Sequence, residues 1–202
     1  TSALPGLQVV ITAGNHDSAG RLEAPADLLK THNVYVRGTI HYTAKGEPDF
    51  GYYLLPLASR QTGEAACVCM ALPYLRSADA PAGLSPEESL RFFFRKIRQE
   101  LKHTAFAGLP VIAAAHFYAR GAEVCGEDHS ERVVVGGQEC VSTEVVGSGV
   151  SYTALGHIHK PQQAGAEAWY AGSALPMSFA EINYHHGAQW VELTPDGQAN
   201  VS

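Results

Sequence analysis

The chain has 202 residues, 46% of them hydrophobic and 17% charged, with a formal net charge of −6. That length suits one domain, or two at most, and the apolar fraction is enough for a full core and too high for a disordered chain. The acidic balance argues against a protein that coats nucleic acid through general positive charge, but not against a nucleic-acid enzyme whose bound cations act locally.

No apolar run approaches the ~20 residues of a membrane span, and no basic-then-apolar leader opens the sequence. The four cysteines, Cys67, Cys69, Cys125 and Cys140, contain no CxxC pair. They read as cytosolic thiols rather than a disulfide framework, with Cys67 and Cys69 facing one way along a strand. The expected location is cytoplasmic, with no membrane partner.

After a loose lead-in containing Pro5 and Gly6, an apolar run over 9–13 predicts a buried strand. Residues 18–33 read as a loop and then a helix, with Pro25 in its first turn and Leu28 and Leu29 facing inward. A short strand over 33–36 returns to the sheet, and this strand-helix-strand order predicts parallel pairing. Runs over 50–57 and 66–72 predict an antiparallel hairpin around Gln61-Thr62-Gly63-Glu64, with Pro56 near one end. Ser85-Pro86-Glu87-Glu88 is a helix start with its own capping box. Leu90, Phe93, Phe94, Ile97 and Leu101 then recur at helical spacing, with Arg91, Arg95, Lys96 and Arg98 on a solvated face.

Further strands are expected over 111–115, 133–137, 152–155, 168–173 and 189–193. The polar, glycine-bearing stretch from Phe117 to Arg132 reads as an active-site loop. Trp169 and Trp190 read as core residues, and His32, His41, His103, His129 and the pair His185-His186 as solvent-facing. No repeat or linker divides the chain. The pattern is one mixed α/β layer structure, with stacked sheets and helices outside.

Three of these apolar runs share one grammar. Residues 9–13 run into Gly14-Asn15-His16-Asp17, residues 111–115 end at His116, and residues 152–155 end at Gly156-His157-Ile158-His159. Strand ends hold side chains rigidly, and in open α/β sheets ligands collect outside the carboxyl ends of the strands. Core strands do not need histidines at their tips. Neutral imidazoles and an amide oxygen suit divalent ions such as manganese, iron or zinc. Two such ions close together also need a bridging carboxylate, and Asp17 is the only acid in the three clusters. Its place beside His16 fits a second role, that of orienting the ring. Lys160 and Arg120 lie near the cluster in sequence, within reach of a phosphate or of solvent.

These motifs resemble those of the calcineurin-like metallophosphoesterases. Leu72-Pro73-Tyr74-Leu75-Arg76, Tyr170-Ala171-Gly172-Ser173 and Ser178-Phe179-Ala180-Glu181 further resemble the SbcD-type nuclease subunits within that superfamily. The resemblance implies a metallophosphoesterase-type four-layer α/β sandwich, two mixed sheets flanked by helices, formed by residues 1–202 as a single domain lacking its opening strands. It implies that Asn15, His116 and His157 bind one metal and His159 another, both manganese, with iron or zinc as alternatives. It assigns His16 as the catalytic histidine, oriented by Asp17.

The implied reaction is metal-dependent hydrolysis of a DNA phosphodiester in repair and recombination. DNA, an SbcC-like ATPase and a homodimer are the implied partners. In that family the signature begins with an Asp-x-His and a Gly-Asp motif, neither of which occurs here, so the chain alone is expected to bind the first metal poorly and to be nearly inactive. The competing readings are a metallophosphatase acting on small esters and a non-catalytic fragment that binds an ATPase partner.

Overall fold

A computed structural model of the chain describes residues 3–123 and 140–202. The strand expected over 133–137, the far part of the loop after His116, Cys125 and His129 lie outside these residues.

Strand β1 (Val9–Thr12) pairs in parallel with β2 (Val34–Arg37), Val9 opposite Val34 and Thr12 opposite Arg37. The connection holds two short helices, α1 (Ala19–Glu23) and α2 (Ala26–Lys30), instead of the single expected helix. Pro25 is the N-cap of α2 rather than part of a first turn. Its missing N–H and fixed ring break the helix, and the break resets the helical phase. Leu28, expected to face inward, is 68% exposed.

Residues 50–57, read as one strand, divide into a 3-10 turn (Phe50–Tyr53) and β3 (Leu54–Ala58). The Asp49 side chain accepts the Tyr52 N–H at 3.2 Å and stabilises the turn. β3 forms the expected antiparallel hairpin with β4 (Ala65–Ala71). As an edge strand, β3 tolerates Pro56 and its absent donor.

The helix α3 (Pro86–Leu101) follows, with its capping box formed: Ser85 Oγ accepts the Glu88 N–H, and Glu88 accepts the Ser85 N–H at 2.8 Å. Then come β5 (Val111–His116), β6 (Tyr152–Gly156), β7 (Gln162–Gly165) and β8 (Ala168–Tyr170). The main sheet has the order β3-β4-β5-β6-β8-β7, parallel from β4 through β8 and antiparallel at both edges. β7 was not expected, because Gln162-Gln163-Ala164-Gly165 has no apolar alternation. It survives as an edge strand whose polar side chains need no burial.

Alternate residues of β4 and β5 serve two layers. Met70, Ala113 and Ala115 pack with Phe93, Phe94 and Ile97 of α3, while Cys69, Ala71, Ile112 and Ala114 pack with Val10 and Tyr35 of the β1–β2 pair. The chain is therefore α/β, with a mixed six-stranded sheet between a helical layer and a two-stranded layer. A separate hairpin, β9 (Val191–Leu193) with β10 (Ala199–Val201), closes the described chain. This small hairpin offers little cover, and Trp190 beside it is 68% exposed instead of sitting in a core. Among the described residues no helix is long and apolar enough to cross a membrane.

Glu23 ties the two-stranded layer to the turn before β3. It is 9% exposed and accepts hydrogen bonds from Thr39 N and Oγ and from Tyr52 OH, and it pairs with His41 Nε2 at 3.1 Å. His41, expected in solvent, stacks on Tyr52 with ring centroids 3.8 Å apart. Burial raises the Glu23 pKa, but the hydrogen bonds from Thr39 and Tyr52 outweigh it and hold the carboxyl below the usual range. A depressed folded-state pKa adds stability above the unfolded value of ~4.3, and that stability fades as pH falls through the folded value. Glu23→Gln is expected to cost about 1–3 kcal/mol at pH 7 and to flatten the acid limb of a urea-unfolding stability profile. An unchanged acid limb would remove Glu23 from this role.

Candidate active site

Residues His116 and Gly156 end neighbouring strands and stand opposite each other in the register. The end of β1 is brought to the same edge by two backbone bonds, Ala13 N–H to Arg37 O and Tyr74 N–H to Ala13 O, both 2.9 Å. Three expected strand ends therefore meet, together with the segment that leaves β4.

The His116 ring sits between two glycines. A Cβ on Gly14 would fall 2.6 Å from His116 Cε1, and one on Gly156 would fall 2.7 Å from Nδ1. Neither glycine has a positive φ, so closeness of approach, not turn geometry, requires them here. His116 Nε2 lies 2.8 Å from Asn15 Oδ1. Its ring meets that of His157 edge-on at 5.3 Å and that of Tyr74 at 5.9 Å, and Tyr118 lies 5.9 Å from His157. His157 has φ +116°, a conformation that costs a non-glycine residue energy and that concentrates at functional sites.

Burial pushes the His116 pKa down to about 3, helped by His157, His16 and His159 and opposed by Asp17. Burial, then His16 and His159, push His157 down to about 4. Both rings are neutral at ordinary pH and keep a nitrogen lone pair. The same neighbours place His16, Asp17 and His159 within electrostatic reach of the pair.

Asp17 holds the loop rather than the ring beside it. Its Oδ2 accepts the Gly14 N–H at 2.7 Å, and its backbone carbonyl accepts Arg76 Nη2 at 3.0 Å. Among the described residues no hydrogen bond joins Asp17 to the His16 ring. His159 has a partner to which the sequence reading gave no role. Its Nδ1 lies 2.8 Å from Glu181 Oε1, and Glu181 is 1% exposed. The other carboxylate oxygen accepts Met177 N–H at 2.9 Å and Ser173 Oγ at 3.3 Å. His186 braces the same turn through Ser173 O and Glu181 O, while its neighbour His185 is exposed as expected. A carboxylate on Nδ1 fixes the tautomer and tilt of the ring. The sequence signal was the place of Glu181 in Ser178-Phe179-Ala180-Glu181, one of the stretches that resemble the SbcD-type subunits, which gave the acid no role. Lys160 pairs with Glu123, and Arg120 with Glu87 at 2.7 Å.

The donor chemistry fits a divalent ion in part. An amide oxygen and an imidazole nitrogen, both donor types that divalent ions take, stand 2.8 Å apart as a hydrogen-bonded pair at Asn15 and His116. Among the described residues, however, no three His, Cys, Asp or Glu side chains are placed to hold an ion by themselves. The cluster therefore offers an amide and imidazoles without a bridging carboxylate.

Gly156→Ala forces the His116 ring from its slot. The expected outcome is a loss of about 1–3 kcal/mol in thermal unfolding, with a displaced His116 ring resonance in NMR spectra. Glu181→Ala strips His159, Ser173 and Met177 of one shared acceptor and is expected to cost at least ~2 kcal/mol. It should also allow His159 to populate both tautomers, which nitrogen-15 ring shifts read directly.

No family model matches the chain. Curated relatives do. The chain is 38% identical over 201 residues to a Rhodobacter capsulatus protein named as the D subunit of the nuclease SbcCD, covering 95% of this chain and 49% of that protein. It is 34% identical over 204 residues to the Bacillus subtilis protein of the same name, covering 95% and 48%. The Escherichia coli K12 protein of that name is 29% identical over 189 residues, covering 87% and 44%. The chain thus spans about half the length of the curated relatives it matches. It is a homologue of the SbcD nuclease subunits along nearly the whole of its own length.

Proposed function

We propose that the chain carries the phosphodiester-cleaving site of an SbcD-type DNA nuclease, working with an SbcC-like ATPase. The observation that carries this reading is the meeting of Asn15, His116 and His157 at the ends of three strands, in a chain homologous to proteins named as nuclease subunits. The stacked sheets flanked by α3 support a metallophosphoesterase-type sandwich as the fold.

In this reading Asn15, His116 and His157 hold one divalent ion and His159 another, manganese being the expected metal. Carboxylate donors come from outside this set. A bound ion supplies a Lewis acid that offsets charge building on the phosphate. The protein's own part is orientation and proton handling. Neutral His116 and His157 keep their lone pairs available because burial disfavours their protonation. Asp17 closes the turn that presents His16, and His16 contacts the phosphate or the departing oxygen, where a positioned imidazole supplies typically 10²–10⁴-fold. Arg76, anchored on that turn, adds local positive charge to a chain whose net charge is −6. With no bridging carboxylate in the set, the 202-residue chain by itself is expected to turn over slowly.

The test compares linear duplex DNA, single-stranded DNA and a nitrophenyl phosphodiester as substrates for the full-length protein with manganese. DNA cleavage is expected, falling at least ~100-fold in His16→Ala while calorimetric manganese binding persists. Turnover of the small ester alone would replace the nuclease reading with a small-ester phosphodiesterase. Full DNA turnover by the isolated 202-residue chain would mean that the missing carboxylate has a substitute within it.

A further inference from the structure

Arg37, the last residue of β2, is 9% exposed. Its Nε donates to the Tyr52 carbonyl at 2.7 Å and its Nη1 to the Val36 carbonyl at 2.9 Å, and its guanidinium carbon stands 3.9 Å from the centre of the Tyr52 ring. Two neutral carbonyls and a ring face orient the group without neutralising it. Among the described residues no carboxylate lies within ion-pair distance of it. Glu23, which shares Tyr52 with it, is already engaged by Thr39, Tyr52 and His41. Buried charges are normally paired, because taking them out of water is costly. A guanidinium does not shed its charge to escape that cost, as a buried lysine can.

Arg37 also lines a recess of about 400 Å³ between α2, the end of β2 and the start of β3. Tyr35, Leu54 and Pro56 give it apolar walls, while Asp27 and Lys30 stand along its helical side. Two cations against one acid leave the recess positive. Among the described residues Arg37 Nη2 has no acceptor, yet it is not sealed from solvent as the unpaired Arg98 Nε is. The volume lies within the ~300–1,000 Å³ of ligand pockets, which are mostly apolar with a few placed polar groups.

We infer that this recess binds a small molecule carrying an oxyanion, a carboxylate or phosphate, on a compact apolar body. The oxyanion meets the Arg37 guanidinium, whose planar donors match two oxygens at once. The apolar body lies against Tyr35 and Leu54. None of the histidines of the candidate active site lines the recess, so the site goes beyond the nuclease reading and does not depend on it. The main chain nonetheless joins the two places. The Arg37 carbonyl accepts the Ala13 N–H at 2.9 Å, just before the turn that carries Asn15.

The experiment titrates the full-length protein with benzoate, with phenylphosphonate, and with benzamide, which keeps the ring but has no charge. Binding is followed through the methyl resonances of Leu54 and Leu55 and the ring resonance of His116. At least one of the two anions is expected to shift the leucine methyls, and the tighter of them names the oxyanion. Benzamide should bind at least about tenfold more weakly, as befits loss of a hydrogen bond to a charged group. Arg37→Met should bring anion and benzamide to equal affinity. Arg37→Lys, which keeps the charge and loses the fork, should weaken the anion without abolishing its advantage over benzamide. Ala26→Trp fills the recess from α2 with Arg37 in place and should exclude all three compounds, which decides the matter if the Arg37 variants fail to fold. The inference is overturned by anions that bind the unaltered protein no better than benzamide, by undiminished binding to Ala26→Trp, or by anion shifts confined to His116.

Discussion

The slot that holds His116 is the constraint on which the site depends. Its ring occupies space that a Cβ on either Gly14 or Gly156 would take, and its Nε2 reaches Asn15 in the turn after β1. A single side chain thus fastens the end of β1 to the ends of β5 and β6. Because packed interiors do not deform continuously, that contact sets the spacing of everything else at the edge. The loop closed by Asp17, the Arg76 anchor and the strained His157 all take their positions from it.

The costs of this arrangement are concentrated at the same edge. His157 holds a backbone conformation that a side chain disfavours, two half-buried imidazoles carry no charge, and Glu181 is buried among its hydrogen-bond partners. The rest of the fold offsets these costs. Phe93, Phe94 and Ile97 of α3 are fully buried against the main sheet, and the capping box secures the start of that helix. Local rules broken at one edge of an otherwise consistent fold are what a functional site looks like physically.

Glu181 and His186 show how far the site reaches along the chain. The turn after Gly172 carries none of the candidate ligands, yet its carboxylate fixes the His159 ring and its histidine braces the turn. Gly172 has φ +81°, and a Cβ there would lie 2.4 Å from the His159 carbonyl, so this crossing also requires a glycine. Positioning of the histidine cluster is therefore spread over five separate stretches of chain.

What the sequence by itself determined is the set of elements with strong period and clear punctuation. These are α3 with its capping box, the parallel strands ending at His116 and Gly156, and the hairpin of β3 and β4. Apolar spacing and turn chemistry act locally, so they can be read locally. The tertiary structure alone decided matters set by what covers a residue. It exposed Leu28 once Pro25 had split the helix, left Trp190 beside a hairpin too small to bury it, and admitted the polar Gln162–Gly165 as an edge strand. It also gave Glu181 to His159, 22 residues away in the chain, since a hydrogen bond between distant residues leaves no periodic trace in the chain that makes it.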